Sequence, residues 1–420
     1  MGKSDDGLPA FEGGKPVREK FLIFGSPLIG KEEINEVVDS LKSGWIGTGP
    51  KVAKFESLIR DYTGAKYALA VNSATAGLHL SLVVSGIGRG DEVITTPMTF
   101  CASANVIEHV GGKPVFVDVD VKSMNIDSEK IEKKITKKTK AILPVHMAGR
   151  PAEMSKILKI AKKYNLKIIE DAAHAIGASY KGKKVGNIGD LTAFSFYVTK
   201  NLATGEGGMV TTNNKKYADL IKIYALHGMS QDAWKRYSDE GFKHYQVQVP
   251  GYKYNMMDIQ AALGIHQFYK FESMQKRRKE IWEIYNQAFR DLPVTIPADI
   301  DPETEHALHL YTILVDTDKL KASRDDVQSA LHAENIGIGI HFTSLHLHNF
   351  YRNKYGFAKG DFSNTEFISD RTISLPFSAK LTDKDVQDVI KAVKKVLNYY
   401  LTKAPKKIKK KLPKAATDVS

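Results

Sequence analysis

Cysteine is almost absent from this 420-residue chain, which contains only Cys101. One cysteine cannot build an internal disulfide framework or a zinc site of the multi-cysteine type, so we expect a reducing compartment. We also predict no metal site. Long apolar runs are also missing. No segment approaches the roughly 20 apolar residues of a membrane span, and the first residues contain no signal-peptide core. These absences favour a soluble, cytoplasmic protein.

The chain is long enough for more than one hydrophobic core. Its composition, 42% hydrophobic and 26% charged, matches an ordinary globular protein. Single cores stop growing at roughly 250 to 300 residues, so two folded domains are expected. We predict an N-terminal arm, a large domain, a small C-terminal domain and a tail, at 1–30, 31–260, 261–402 and 403–420.

Positive charge is concentrated at the C-terminus. The formal net charge is +13, and the tail holds seven lysines and one aspartate without an aromatic residue. This composition is typical of a disordered, solvated extension. The alternative is a patch for acidic surfaces or membrane phosphates, which would make the protein a surface-binding protein rather than an enzyme.

Short apolar runs alternate with helical patterns between about residues 32 and 257, which indicates parallel strands joined by crossover helices. We predict strands at 67–71, 92–95, 114–117, 141–146, 167–171, 193–196 and 208–212. Helices are predicted at 74–84, 102–109, 128–133 and 151–164, the last with Pro151 at its first position. Beyond them we predict a helix at 258–290, a strand at 308–315, a helix at 324–334, a strand at 337–341 and a helix at 383–401. The fold class is a three-layer α/β/α domain with a smaller α+β domain.

Asp171 and Lys200 each end an apolar run, and together they indicate an enzyme that uses pyridoxal phosphate (PLP). The lysine amine forms the Schiff base with the cofactor, and the carboxylate keeps the pyridine nitrogen protonated. Taken separately, Asp171 could cap the following helix and Lys200 could lie at the surface. The glycine cluster at 205–208, which allows close approach of the backbone, favours the functional interpretation.

A phosphate site is predicted where a strand meets a helix near residue 73. Free N–H groups at a helix N-terminus, with the hydroxyls of Ser73 or Thr75, make an anion cradle, and Ser195 could add a second hydroxyl. Ser and Thr also cap helices that bind nothing. Phe100 is placed to stack on the cofactor ring, although most phenylalanines in such positions are core residues.

Several motifs in order resemble the DegT/DnrJ/EryC1/StrS family of sugar aminotransferases, PLP enzymes of fold type I. They include SGWIGTGP at 43–50, EDAAHA at 170–175 and GEGG at 205–208. Further matching segments lie at 11–18, 72–77, 90–94, 114–119 and 251–256. The resemblance covers about residues 8–401, nearly the whole chain.

The resemblance implies a role for each matching residue. Lys200 would carry the cofactor, Asp171 would pair with its ring nitrogen, and His174 would contact its hydroxyl or ring. The remaining assignments concern the phosphate, held by Ala74, Thr75 and Ser195, the ring stack of Phe100, and a phosphate contact by Asn255 from a neighbouring subunit. A homodimer with shared active sites follows from the role of Asn255.

The resemblance also implies a substrate. Trp45, Thr48, His174 and His341 are most similar to the branch that aminates UDP-linked 4-keto sugars, such as the 4-amino-4-deoxy-L-arabinose enzyme. L-Glutamate would be the amino donor, and the product would enter lipopolysaccharide or another surface polysaccharide. The nucleotide diphosphate would be bound by cationic groups, for which the candidates are Lys253, Arg236, His227 and His341.

Two other enzyme activities fit the same scaffold. An aminotransferase for a cyclitol or a 3-keto sugar would share most of these motifs. A PLP-dependent sugar dehydratase would also share them, but there the Schiff-base lysine is replaced, commonly by histidine. Lys200 argues against the dehydratase.

Overall fold

The computed structural model describes residues 7–229, 246–299 and 302–405. In these ranges the strands are β1 Tyr67–Val71, β2 Glu92–Thr95, β3 Lys113–Phe116, β4 Thr139–Ile142, β5 Lys167–Asp171, β6 Ser179–Tyr180, β7 Lys183–Lys184, β8 Leu191–Ser195, β9 Gly208–Thr212, β10 Val294–Thr295, β11 Thr304–Glu305, β12 Tyr311–Val315 and β13 Thr372–Leu375. The helices are α1 Lys31–Ser43, α2 Pro50–Thr63, α3 Ala74–Val84, α4 Ala102–His109, α5 Ser128–Ile131, α6 Met154–Tyr164, α7 Lys215–Ala225, α8 Asp258–Tyr269, α9 Phe271–Phe289, α10 Arg324–Ala333, α11 Asn349–Tyr355, α12 Ser363–Ser369 and α13 Asp383–Thr402. Short 3-10 turns lie at Ala10–Glu12, Glu132–Lys134, Met147–Gly149 and Leu345–Leu347.

Seven strands form the central sheet in the order β1-β9-β8-β5-β4-β2-β3. Neighbouring residues within a strand face opposite sides, so the sheet carries a helical layer on each face. Ala193 packs with α3 and α7 on one face, whereas Phe194 packs with α2 and α8 on the other. The large domain is therefore the three-layer α/β/α structure that the sequence predicts.

One strand of the sheet runs against the prediction of uniformly parallel strands. β9 pairs antiparallel with both β1 and β8. Parallel neighbours usually need a crossover that contains a helix, and residues 196–207 between β8 and β9 contain none. That loop contains Lys200. Because Gly208 at the start of β9 pairs with Ser195 at the end of β8, the loop begins and ends at the same edge of the sheet.

The small domain packs α9, α10 and α13 against a three-stranded sheet in the order β10-β12-β13. Its core contains the buried Tyr285, Tyr311 and Tyr400. Leu22 of the N-terminal arm packs on the same core, and buried Glu334 accepts hydrogen bonds from the backbone N–H groups of two arm residues. The arm is therefore attached to the small domain.

The predicted single helix at 258–290 is wrong, because the chain divides into α8 and α9 at Lys270. The Lys270 ammonium group binds the buried carboxylate of Glu33 on α1. α8 packs on α1 and α2, whereas α9 reaches the core of the small domain. No proline or glycine marks the division, so the sequence pattern runs through it.

The predicted start of a helix at Pro151 is also wrong, since α6 begins at Met154. Ala152, the residue after the proline, makes a hydrogen bond outside the helix. Its N–H donates to Nδ1 of buried His146 at 3.0 Å. The Nε2 atom of His146 lies 2.9 Å from the carboxylate of buried Glu170. The hydrogen bond from Ala152 to this buried pair therefore holds the segment before Met154 outside the helix.

The predicted strand at 337–341 is reduced to one bridge between Gly339 and Ser374. A Cβ at Gly337 would lie 2.6 Å from the carbonyl oxygen of Leu22, so this segment runs directly beside the N-terminal arm. β12 begins at Tyr311, later than predicted.

Among the described residues, no helix is long and apolar enough to cross a membrane. Arg236 and the tail beyond residue 405 lie outside the described residues.

Candidate active site

A cavity of about 620 Å³ opens at the edge of the central sheet where β1, β5 and β8 end. In open α/β sheets, ligands bind at the carboxyl ends of the strands. The predicted residues that line this cavity are Ser73, Ala74, Thr75, Phe100, Asp171, His174, Ser195, Lys200 and His341. The small domain supplies His309, Ile340, His341 and Phe342 to the same wall.

Lys200 lies in the loop between β8 and β9, held by a hydrogen bond from its own N–H to the Tyr197 carbonyl at 2.8 Å. Burial lowers the pKa of the Lys200 amine to about 8, and the negative charge of Asp171 limits that shift. A lysine in ordinary surroundings has a pKa near 10.4, so Lys200 has a far larger neutral fraction near neutral pH. Such an amine can act as a nucleophile and as a base.

Asp171 ends β5 and is buried. Oδ2 accepts a hydrogen bond of 2.6 Å from the Ser103 hydroxyl, and Oδ1 accepts one from the Ala173 N–H. The Thr99 hydroxyl lies 2.7 Å from the Ser103 hydroxyl and supports it. The carboxylate is thereby fixed in orientation, and it can accept a further hydrogen bond from a cationic ring nitrogen.

The N-terminus of α3 forms an anion cradle. Ser73 caps the helix, because its hydroxyl accepts from the Ala76 N–H at 3.1 Å and its carbonyl accepts from the Gly77 N–H. The Ala74 and Thr75 N–H groups precede the helical ladder and remain available to a phosphate. A Cβ at Gly208 would lie 2.7 Å from the Ala74 nitrogen, so only glycine in β9 fits beside this turn.

Three histidines surround the lysine, and burial lowers the pKa of each. The pKa of His341 falls to about 4, and those of His174 and His309 fall well below the ordinary value, with the Lys200 charge adding to the effect. All three are therefore neutral at physiological pH. The His174 and His309 rings lie 4.5 Å apart.

Phe100 is 59% exposed and faces the cavity. A core phenylalanine would be buried, so its position favours the ring-stacking interpretation over the core one. Phe342 lies 6.1 Å away between ring centroids, so two aromatic rings flank the opening. Such faces suit a flat ligand ring.

Five predicted contacts do not line the cavity of their own chain. Asn255 donates to the Thr48 hydroxyl at 2.7 Å, and the Thr48 hydroxyl donates to the Met256 carbonyl. The Trp45 indole lies beside them, within 3.3 Å of the Thr48 carbonyl. His227 and Lys253 are exposed. Lys253 forms an isolated β-bridge with Leu226, the residue before His227.

The sequence analysis missed two parts of this site. His309 lines the cavity and donates from Nδ1 to the Asn201 amide oxygen at 3.1 Å, an assignment fixed because the Asn201 amide nitrogen donates to the Ala307 carbonyl. Ser103 orients Asp171. Asn201 directly follows Lys200, but its partner is 108 positions away, so no local pattern shows the contact.

The cavity fits PLP. It combines a lysine with a lowered pKa, an oriented carboxylate, a helix N-terminus with free N–H groups and an exposed aromatic face. These are the groups that the aldehyde, the pyridine nitrogen, the phosphate and the ring of PLP require. No group of three or more metal-ligating side chains lies together in the described part of the chain.

Comparisons with known proteins agree with this chemistry. The model of the DegT/DnrJ/EryC1/StrS aminotransferase family matches residues 27–394. The spore coat polysaccharide biosynthesis protein SpsC of Bacillus subtilis is 49% identical over 381 residues, which cover 90% of this chain and 98% of SpsC.

Solved structures extend the comparison to the fold and the cofactor. Spr1654 of Streptococcus pneumoniae in its PMP-form has a TM-score of 0.84 at 35% identity, covering 91% of this chain and 99% of that one, and it is also known in a PLP-form. PseC of Helicobacter pylori, an aminotransferase involved in the biosynthesis of pseudoaminic acid, has a TM-score of 0.84 at 30% identity and covers 91% and 100%. The chain belongs to the DegT/DnrJ/EryC1/StrS aminotransferase family and is a PLP-dependent sugar aminotransferase.

Proposed function

We propose that this enzyme transfers the amino group of L-glutamate to a nucleotide-linked keto sugar, with a UDP-linked 4-keto sugar as the first candidate. The observation that carries the proposal is that Lys200, Asp171 and the free N-terminus of α3 lie in one cavity. Polysaccharide biosynthesis by SpsC and pseudoaminic acid biosynthesis by PseC support a sugar acceptor. The product would serve a surface polysaccharide or lipopolysaccharide.

Different groups of the protein would serve different parts of the transfer reaction. When bound, the cofactor supplies an aldehyde that condenses with amines and a ring that accepts electrons from the attached carbon. The Lys200 Nζ atom could take a proton from that carbon and return it to the carbon of the cofactor's aldehyde group, because its pKa of about 8 permits both states near neutral pH. Asp171 would hold the ring nitrogen protonated, and the Ala74 and Thr75 N–H groups would bind the phosphate.

The diphosphate of a nucleotide needs positive charge, and the described cavity wall offers little of it. Among the described lining residues Lys200 is the only lysine or arginine, and Asp171 and Glu206 are acidic. A diphosphate would therefore bind outside this wall, where the exposed Lys253 and His227 remain candidates.

We propose that two copies of the chain complete each other's sites. On α1, Ile34, Val38 and Leu41 are exposed at helical spacing, and Trp45 and Ile46 continue the patch; three of these five side chains are more than half exposed. Such a patch favours an interface. Asn255 has a buried amide oxygen to which no described residue donates, and it lies outside its own cavity. We assign it to the site of the second copy.

The first test is transfer itself. Wild-type enzyme with glutamate and a panel of nucleotide-linked 3-keto and 4-keto sugars should release 2-oxoglutarate with one or more sugars, whereas Lys200→Ala should lose turnover and the visible absorbance of the bound cofactor. Lys253→Ala is the control for a distant lysine and should keep the absorbance. Failure of every keto sugar to accept the amino group would refute the substrate class.

The Asp171→Asn variant tests the negative charge of Asp171, because it removes the charge and keeps the shape of the side chain. The amide can still accept from the Ala173 N–H and can donate to Ser103, so folding and cofactor content should be retained. The rate with glutamate should fall on the order of 10²- to 10³-fold, the range for losing one electrostatic group in an enclosed site. Ser103→Ala keeps the charge and should cost much less. An Asp171→Asn enzyme within tenfold of wild type would contradict the assignment.

The rate of PLP capture by the cofactor-free enzyme should rise with pH and level off above about pH 8. Only the neutral Lys200 amine can attack the aldehyde, and burial lowers its pKa to about 8. In Asp171→Asn the neighbouring negative charge is lost, so the pKa and the midpoint should move lower still. Stopped-flow absorbance measures both. A midpoint near 10.4, the value of an unperturbed lysine, would show that the amine is not perturbed.

Mixed dimers should show whether Asn255 acts across the interface. Lys200→Ala and Asn255→Ala chains, co-expressed with different tags, should give heterodimers with one intact site of two and about half of wild-type activity, because a two-fold dimer holds two equivalent sites. Each homodimer should be strongly impaired. Heterodimers no more active than the Asn255→Ala homodimer would place Asn255 in the site of its own chain.

A further inference from the structure

The N-terminal arm passes behind the wall of the active site that contains His341. The Leu22 N–H donates to the Asn335 carbonyl at 2.9 Å, and the Gly337 N–H donates to the Leu22 carbonyl at 2.8 Å. This pairing brings Phe24 against His341, with ring centroids 5.5 Å apart and planes inclined by 29°. A residue more than 300 positions away in sequence thus stacks on a residue of the cavity.

The His341 ring lines the cavity, and only its Nδ1 atom has a hydrogen-bond partner among the described residues. Nδ1 lies 2.9 Å from the Ser374 hydroxyl, which in turn lies 2.9 Å from the Thr312 hydroxyl. Burial lowers the pKa of His341 to about 4, so the ring is neutral. Nε2 is therefore the remaining polar atom of His341 that can meet a ligand.

Neighbouring groups limit how far the His341 ring can tilt away from Phe24. A Cβ at Gly339 would lie 2.5 Å from Cε1 of His341 and 3.1 Å from Cζ of Phe24, so the backbone of Gly339 closes the space beneath both rings. Phe342 meets the imidazole edge-on, with centroids 5.0 Å apart. Phe24 is the one member of this enclosure that the arm contributes.

The arm also reaches the lysine loop. A Cβ at Gly25 would lie 2.9 Å from Cγ2 of Thr199, the residue before Lys200. Ser26, Pro27 and Leu28 border a small void of about 10 Å³ together with Thr199 and Lys200. The arm therefore supports two separate parts of the site.

We propose that Phe24 is a positioning residue for the acceptor substrate: it fixes the plane of the His341 ring, and His341 Nε2 then meets a hydroxyl of the keto sugar. This inference rests on the proposed function for the identity of the acceptor. The stack itself is independent of it. In this proposal His341 contacts the acceptor and not the amino donor, so loss of Phe24 should affect the two substrates differently.

The chain offers a matched control in the same arm. Phe21 contacts His332, with ring centroids 5.0 Å apart, and His332 does not line the cavity. Phe24→Ala should raise the KM for the keto sugar about three- to tenfold, the range for one aromatic contact, and leave the rate with glutamate within about twofold. Phe21→Ala should change neither. Phe24→Leu, which restores bulk without stacking, should be intermediate.

A second measurement does not depend on turnover. NMR of enzyme labelled at histidine, with the His341 signal assigned from His341→Gln, should show the pKa of His341 moving up toward the ordinary value in Phe24→Ala, because the ring becomes hydrated. In Phe21→Ala that signal should stay unchanged. The cofactor absorbance should remain normal in both variants.

The outcomes separate the two proposals. An unchanged His341 signal and KM in Phe24→Ala would overturn the positioning role, as would an equal effect of Phe21→Ala, which would indicate a general loss of stability. If the His341 signal shifts but no keto sugar accepts the amino group, the substrate proposal fails while the positioning of His341 by Phe24 stands.

Discussion

The active site depends on holding the Lys200 amine in surroundings that disfavour its charge, opposite the carboxylate of Asp171. Desolvation lowers the pKa of the amine, and the carboxylate keeps the shift moderate, so neither the ammonium nor the amine form dominates completely near pH 8. In the proposed mechanism the same carboxylate must also remain oriented toward the ring nitrogen of PLP. Ser103 and the Ala173 N–H provide that orientation.

The fold supplies this arrangement through two separate features. The large domain brings the ends of β1, β5 and β8 to one edge, so the phosphate cradle, the carboxylate and the lysine loop meet there. The small domain then covers the lysine with His309 and His341. Without this cover Lys200 would be hydrated and its pKa would return toward that of a surface lysine. The contact between the two domains therefore helps to set the pKa of Lys200.

The sequence predicts the parts of the fold that depend on local pattern. The strands at 67–71 and 208–212 and the helix at 74–84 match the structure, because apolar runs and caps mark them. The reversal of β9 goes with a connection from β8 that contains no helix, a feature that the pattern of apolar runs does not weigh. The division at Lys270 and the shortened α6 depend on buried partners, Glu33 and His146, which are distant in sequence.

The same distinction applies to the site. Lys200, Asp171 and the cradle at α3 lie in local motifs, so their residue types and positions are visible in the sequence. His309 and Phe24 have no such signal, because each is defined by a ring or an amide far away along the chain. Contacts of this kind follow from how the arm, the small domain and the large domain pack together. A linear pattern contains no information about that packing.

The three neutral histidines restrict which group can move protons. His174 accepts from the Ala148 N–H at Nδ1, which leaves Nε2 as a donor, whereas His309 donates from Nδ1 and leaves Nε2 as an acceptor. The two adjacent rings therefore offer opposite hydrogen-bonding polarity without carrying charge. Because burial keeps the pKa of each below its ordinary value, none can compete with Lys200 as a base and then as an acid near neutral pH. In the proposed mechanism the histidines orient ligands, and Lys200 transfers the proton.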